Sequence, residues 1–278
     1  VYAFATGDGN NASGAQSVAM GSYNNASGAQ SVAIGSSNNA SGAQSVAMGS
    51  SNIANGAQSV VMGILSTASE DFAFAMGALA TASGVSSVAM GDSTTASSSF
   101  AVAMGEGTTA SGQWAFAMGD TTAAEGNAAF AIGYQTNASG TNSLATGDST
   151  TASGDTSTAM GMATKATGDD STAMGRGIEA GGTNTFAIGL NDQTNTNVSQ
   201  DNTMVIVGGP VGFSNESITP HVNATIHIND TMLLTPTDNP APCGANFRGG
   251  LYYSDTENGL CMCTGASWVM VNDSKPCP

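Results

Sequence analysis

Positive charge is almost missing from this chain. Four Lys or Arg stand against twenty Asp or Glu, for a formal net charge of -16 over 278 residues. With no basic cluster to release counterions, nucleic acid is excluded as a partner, and anionic membrane surfaces are excluded for the same reason. Charge of either sign is scarce, at 9% of residues, against about 25% in ordinary globular domains. The surface must therefore be made of Ser, Thr, Asn and Gly, a composition of extracellular β architecture or disorder rather than of a cytoplasmic enzyme. No run of 18 apolar residues occurs, so no membrane insertion by this chain is expected. The sequence opens inside a repeat, at Val1-Tyr2-Ala3-Phe4, with no signal peptide, as in a mature fragment or one whose first rungs lie outside it.

Cysteine is absent until Cys243; Cys261, Cys263 and Cys277 follow. Their crowding predicts a small module stapled by two disulfides in an oxidising compartment, with three pairings open. A zinc site built from all four thiolates is the alternative, although the spacing matches no common zinc pattern well. Histidine is limited to His221 and His227, which lack a third ligand, so no metal site is expected. No calcium-loop spacing, phosphate loop or catalytic constellation is present. The reading is a non-enzymatic chain without cofactors.

What the sequence does contain is a repeat. Gly recurs every 14 residues from Gly7 to Gly189, and Ala recurs in step from Ala12 to Ala180. A second Gly series starts at Gly14 and is broken by Glu70 and Ser98. Such periodicity specifies a stacked solenoid. Within each unit, segments such as Ser17-Val18-Ala19-Met20 alternate small and bulky residues, the period of a strand. Fourteen residues supply two strands of roughly five and two tight turns, with glycines at the turns. The thin interior then takes the Ser17, Ala19 and Ala12 tracks.

The bulky track must point outward. It carries Val18, Met20, Phe74, Met76, Phe116, Met118, Phe130, Ile132, Phe186 and Ile188. An apolar stripe of this length exceeds what soluble monomers expose, so it is expected to close on copies of the same chain, with closed symmetry and an unspecified number of chains. Phe72, Phe100 and Trp114 replace Gln16-type residues and share strand parity with that face. Thr146, Thr158 and Thr172 put hydroxyls on it, either as tolerated β-branched residues or as a hydrated, ion-holding section.

Outside the stripe, Ile64, Leu65, Leu79, Tyr134 and Met162 are non-repetitive apolar residues at outer turns and form a candidate ligand surface. Asp8, Asp92, Glu106, Asp120 and Asp148 share one turn position, a solvated surface or a weak cation site. Asn-x-Ser/Thr sequons occur at Asn11, Asn25, Asn39, Asn137, Asn197, Asn215, Asn223, Asn229 and Asn272. In a glycosylating source those at 11, 25 and 39 would carry a ladder of sugars on the face opposite the stripe.

The unit Gly-Ala-Gln-Ser-Val-Ala-Met-Gly with Asn-Ala-Ser-Gly between copies closely resembles the head repeats of trimeric autotransporter adhesins, the YadA-like family. The resemblance covers residues 1–190. It implies an all-β fold: a left-handed parallel β-roll solenoid, homotrimeric, with the motif's Val and Ile on a threefold axis. Asp201-Asn202-Thr203-Met204-Val205-Ile206-Val207-Gly208 resembles the start of that family's neck, so 191–217 reads as a neck-like connector. The match then stops: Gly209-Pro210-Val211-Gly212 replaces the expected basic portion, and neither heptads nor an anchor barrel follows. Residues 218–240 resemble an extended linker of bacterial and phage fibre proteins. In 241–278, strands around Leu251-Tyr252-Tyr253, Leu260-Cys261-Met262-Cys263 and Trp268-Val269-Met270 alternate with Asn258-Gly259 and Thr264-Gly265 turns, which favour an antiparallel meander, similar to small C-terminal modules of fibre proteins. The resemblance implies an extracellular or surface adhesin head attaching to host, matrix, glycan or other cells. A structural filament or viral or phage fibre segment, self-associating end to end, is the alternative.

Overall fold

A computed structural model describes residues 2–193, 196–208, 251–254, 259–264, 266–271 and 276. The described residues fall into two units, Val1–Gly212 and Phe213–Pro278. The first unit is a parallel β-solenoid. Long strands such as Val18–Ser22 and Phe116–Asp120 form a 15-stranded sheet in sequence order, and two- or three-residue strands such as Asn25–Ala26 form a facing 14-stranded sheet. Register is exact at 14 residues: Val18 pairs with Val32, Ala19 with Ala33, Met20 with Ile34. At about 4.8 Å per rung the fifteen long strands span about 67 Å.

The coil is less symmetric than two strands of five. Its long strand has five residues and its short strand commonly two, because two corners consume the remainder. At each corner a residue adopts the left-handed region, and it is seldom glycine: twenty-four non-glycine residues do so, among them Gln16 (φ 57°), Tyr23 (φ 56°), Phe72 (φ 59°), Leu79 (φ 55°) and Trp114 (φ 58°). Such φ costs an L-residue about 1–2 kcal/mol. The N–H it redirects is satisfied by the rung before, as in Gln30 N to Ala15 O at 2.7 Å and Ser37 N to Ser22 O at 2.8 Å. Phe72, Phe100 and Trp114 therefore sit on a corner and not within the strand.

The 14-residue glycines are not turn residues either. Gly119 is the fourth residue of the long strand Phe116–Asp120 and has φ +132°; a Cβ there would lie 1.9 Å from the Gly133 carbonyl oxygen. Glycine is required by both backbone conformation and the approach of the next rung.

The interior follows the small-residue reading. The Ala19 and Ala26 tracks are fully buried, as is Val61, the one enlargement. A third inward track escaped the sequence reading: Asn24, Asn38 and Asn52, then Ser66, Ala80 and Thr94 onward to Thr164. Asn38 is held on every side. Its Nδ2 donates to Ile34 O (3.0 Å), Gly49 O (2.8 Å) and Asn24 Oδ1 (2.9 Å), while its Oδ1 accepts from Asn52 N and Nδ2 (both 3.1 Å). Each buried partner left unsatisfied costs about 1–3 kcal/mol. Asn38→Ala is expected to destabilise the roll by about 3 kcal/mol in denaturant unfolding. Asn38→Thr is expected to cost less, since Thr fills this track higher up. Equal stability of all three proteins would contradict the ladder's role.

The solenoid runs past 190. Phe186 pairs with Met204 and Ile188 with Ile206, an offset of 18 residues in place of 14. The extra residues follow Leu190, where Arg176 meets Asp192 at 3.3 Å and Gln193 N donates to Arg176 O at 3.0 Å. Residues first read as a neck thus begin with a fifteenth rung. The second unit contains a three-stranded antiparallel sheet, Leu251–Ser254, Gly259–Cys263 and Trp268–Met270, the expected meander. Cys261 and Cys263 point to one buried face with exposed Met262 between them. No described cysteine is free. Cys243 and Cys277 lie outside the described residues, as do His221, His227 and the 218–240 linker.

Candidate functional surfaces

Two surfaces of the roll carry side chains that folding of one chain does not explain. The first is the outward face of the long strands. Val18, Phe74, Met76, Phe116, Ile132, Phe186 and Ile188 are half-buried, while Met20, Met118 and Phe130 are exposed. They cover one another only along the stack, as Phe116 does with Phe130 at a ring-centroid distance of 4.6 Å and 12° between planes. Among the described residues of the roll nothing packs over this face, and its side chains cannot turn inward because the interior beneath is filled by alanine and serine. Thr158 and Thr172 are paired in register on the Val18 track, whereas Thr146 lies between Ile132 and Met160 on the Met20 track. The hydroxyls thus occupy two parallel columns.

The second surface is the pair of corners. Gln16, Gln30, Gln44 and Gln58 form an amide ladder of 2.7–3.0 Å bonds, which continues upward as Phe72, Ser86, Phe100 and Trp114. The last two rings stack at 6.3 Å and 13°. At the opposite corner Ile64, Leu65 and Leu79 are all more than half exposed. Ile64 ends one long strand, Leu65 follows it, and Leu79 N bonds Ile64 O. The structure brings these three together. Tyr134 and Met162 end strands five and seven rungs above Ile64 and are separate features, with Asp148 between them in register.

The acidic series also ends long strands rather than occupying a turn. Asp92 pairs with Glu106 and Glu106 with Asp120. Ser93 and Thr121 hydroxyls donate to Asp92 (2.8 Å) and Asp120 (2.6 Å). Among the described residues, no three His, Cys, Asp or Glu side chains are grouped to hold a metal ion. The sequon residues Asn11, Asn25, Asn39 and Asn137 stand on the short strands, in the sheet facing the apolar stripe's. The amides of the first three are engaged with each other, Asn11 Nδ2 donating to Asn25 Oδ1 and Asn25 Nδ2 to Asn39 Oδ1, each at 2.9 Å, whereas the Asn137 Oδ1 is buried without a partner among the described residues. Asn197 lies exposed in the last short strand. Asn215, Asn223, Asn229 and Asn272 lie outside the described residues.

The described roll is thus a short-coil parallel solenoid with a filled interior, a long apolar face interrupted by Thr146, Thr158 and Thr172, and individual large side chains at its corners. The sequence profile of the YadA head domain repeat (2 copies) matches the first fourteen rungs, at 1–24, 26–52, 54–80, 82–108, 110–136, 124–150, 138–164, 152–177 and 166–191. The chain belongs to the YadA head domain repeat family, a family of non-enzymatic, surface-exposed adhesins with trimeric heads. No curated protein matches the chain.

Proposed function

We propose that this chain is the head of an extracellular, homotrimeric adhesin that attaches to a protein or glycan of a host, a matrix or another cell. The observation that carries the proposal is family membership across residues 1–191 together with non-repetitive apolar side chains on an otherwise uniform rod. The outward face is the trimer axis, with Val18, Met20, Phe74, Met76, Phe116, Met118, Phe130, Ile132, Phe186 and Ile188 meeting their symmetry mates. In a left-handed roll closed by threefold symmetry, every rung contributes the same contact, which accounts for one size rule holding over the full length. Corner residues stay outside that contact and are available to ligands. The cysteine module is stapled by disulfides linking Cys261 and Cys263 to Cys243 and Cys277.

Replacing Ile64, Leu65, Leu79, Tyr134 and Met162 by Ser is expected to lower attachment to ligand-coated surfaces on the order of tenfold, because exposed anchors of this kind dominate binding energy. Circular dichroism is expected to stay unchanged, since Ser50 and Ser51 already occupy the positions equivalent to Ile64 and Leu65. Undiminished attachment would remove these residues from the ligand surface. A fibre segment is the second reading, favoured by the separate C-terminal sheet with its buried cysteines. Rods joined end to end in electron micrographs would support it over free heads.

A further inference from the structure

The corner bearing Ile64, Leu65 and Leu79 continues directly into the acidic row, and the two features form one surface. In register, the ends of successive long strands read Ser50, Ile64, Ala78, Asp92, Glu106 and Asp120. The left-handed position beside them reads Ser51, Leu65, Leu79, Ser93, Gly107 and Thr121. Ser22, Ser36 and Ser50 at the first position, and Ser37 and Ser51 at the second, demonstrate that the fold needs neither bulk nor charge here. Leu65 and Leu79 nevertheless place large apolar side chains, 57% and 52% exposed, at φ 55°, where a γ-branched residue gains nothing from its own chain. Like charges opposite one another in a ladder are destabilising, yet Asp92, Glu106 and Asp120 occupy three successive rungs. Among the described residues the sole salt bridge is Arg176 with Asp192, far up the roll. Asp92 and Asp120 accept hydrogen bonds from the Ser93 and Thr121 hydroxyls of their own corners, but the run of three like charges and the exposed Leu65 and Leu79 are not explained by those bonds, and local choices that work against the fold point to function.

We infer that this corner docks a basic polypeptide segment lying along the roll, with apolar side chains seated on Ile64, Leu65 and Leu79 and Lys or Arg side chains paired with Asp92, Glu106 and Asp120. Charge complementarity selects the occupant. The patch is apolar at one end and anionic at the other, so a matching partner is apolar at one end and cationic at the other. From Ile64 to Asp120 is four rungs, about 19 Å, the reach of roughly six extended residues. The inference rests on the adhesin reading and narrows its ligand from protein or glycan to a basic protein segment.

The test uses the full chain and a labelled synthetic peptide with two leucines followed by three glycine-spaced lysines. Binding is measured by fluorescence anisotropy at low and physiological salt. Native protein is expected to bind it, weaker at higher salt, and to leave unbound the versions with glutamate for lysine or glycine for leucine. D92N/E106Q/D120N is expected to lose on the order of tenfold in affinity, the sum of three exposed ion pairs. I64S/L65S/L79S is expected to lose at least as much. The control D155N/D169N/D201N removes equal charge elsewhere; each of these aspartates accepts a backbone N–H through Oδ1 at 2.8–2.9 Å, as Asn127 does for Gln113 N, so the fold is kept. The control is expected to bind within twofold of native. Equal loss in the control, or no binding by native protein, overturns the inference. If in that case native protein still attaches to matrix- or cell-coated surfaces, the adhesin reading survives; if attachment is absent too, that reading falls with it.

Discussion

Gly119→Ala is expected to abolish cooperative folding of the roll, whereas Gly107→Ala, twelve residues earlier, is expected to change stability by no more than about 1 kcal/mol. Both glycines have positive φ, but their surroundings differ. Gly119 holds φ +132° inside a strand, and a Cβ would stand 1.9 Å from the carbonyl oxygen, 2.9 Å from the carbonyl carbon and 3.0 Å from the nitrogen of Gly133. All three are backbone atoms of the next rung, fixed by their own ladder, so relief requires separating rungs. Losses above about 4 kcal/mol follow from such strain. Gly107 has φ +59° with no atom nearer than 3.8 Å, and Ala163 occupies the same corner position at φ 51°. Thermal and denaturant unfolding of the two variants separates the explanations. A stable Gly119→Ala protein would show that rungs do not stack as closely as described.

Phe116→Asp is expected to dissociate the proposed trimer. Phe116 faces outward from the middle of the roll, in register with Val102 and Phe130. On a threefold axis the substitution brings three carboxylates together on an apolar surface with no cation, at an effective penalty of several kcal/mol per ion. Ile64→Asp is the control. It adds the same charge two residues beyond the outward track, where Asp92 and Asp120 already end their strands, and assembly is expected to persist. Dissociation by both, or by neither, would place the apolar face somewhere other than the subunit contact.

Much of the fold was legible because the repeat leaves so little freedom. A 14-residue period without slips fixes the register of every rung, and the contrast of Ala19 with Met20 assigns inside and outside. The adjacent asparagines defeated the same logic. Asn24 and Asn25 are chemically identical, yet one is buried and the other faces out. Parity with Ala26 places Asn24 inward, but a buried amide is acceptable only once its partners exist, and those come from two other rungs. Gly21 was misread because glycine in a short coil signals a turn, whereas the need here is room for a carbonyl of the neighbouring coil. The corners were misread for the converse reason: Gln16 and Tyr23 adopt backbone angles usually left to glycine, held there by a hydrogen bond invisible in one rung alone. The fifteenth rung was hidden by its offset of 18. Of the candidate surfaces, the apolar stripe was legible as a pattern. The continuity of Ile64 and Leu79 with Asp92 was not, because residues 28 and 13 positions apart are brought onto one surface only by stacking.

The account stands on the outward apolar face being covered by copies of the same chain. Sedimentation equilibrium of the native, non-denatured protein measures this directly. The mass is expected to be three times the 27.3 kDa of one chain at every accessible concentration. A soluble particle of 27.3 kDa would leave the stripe in water and contradict the central claim.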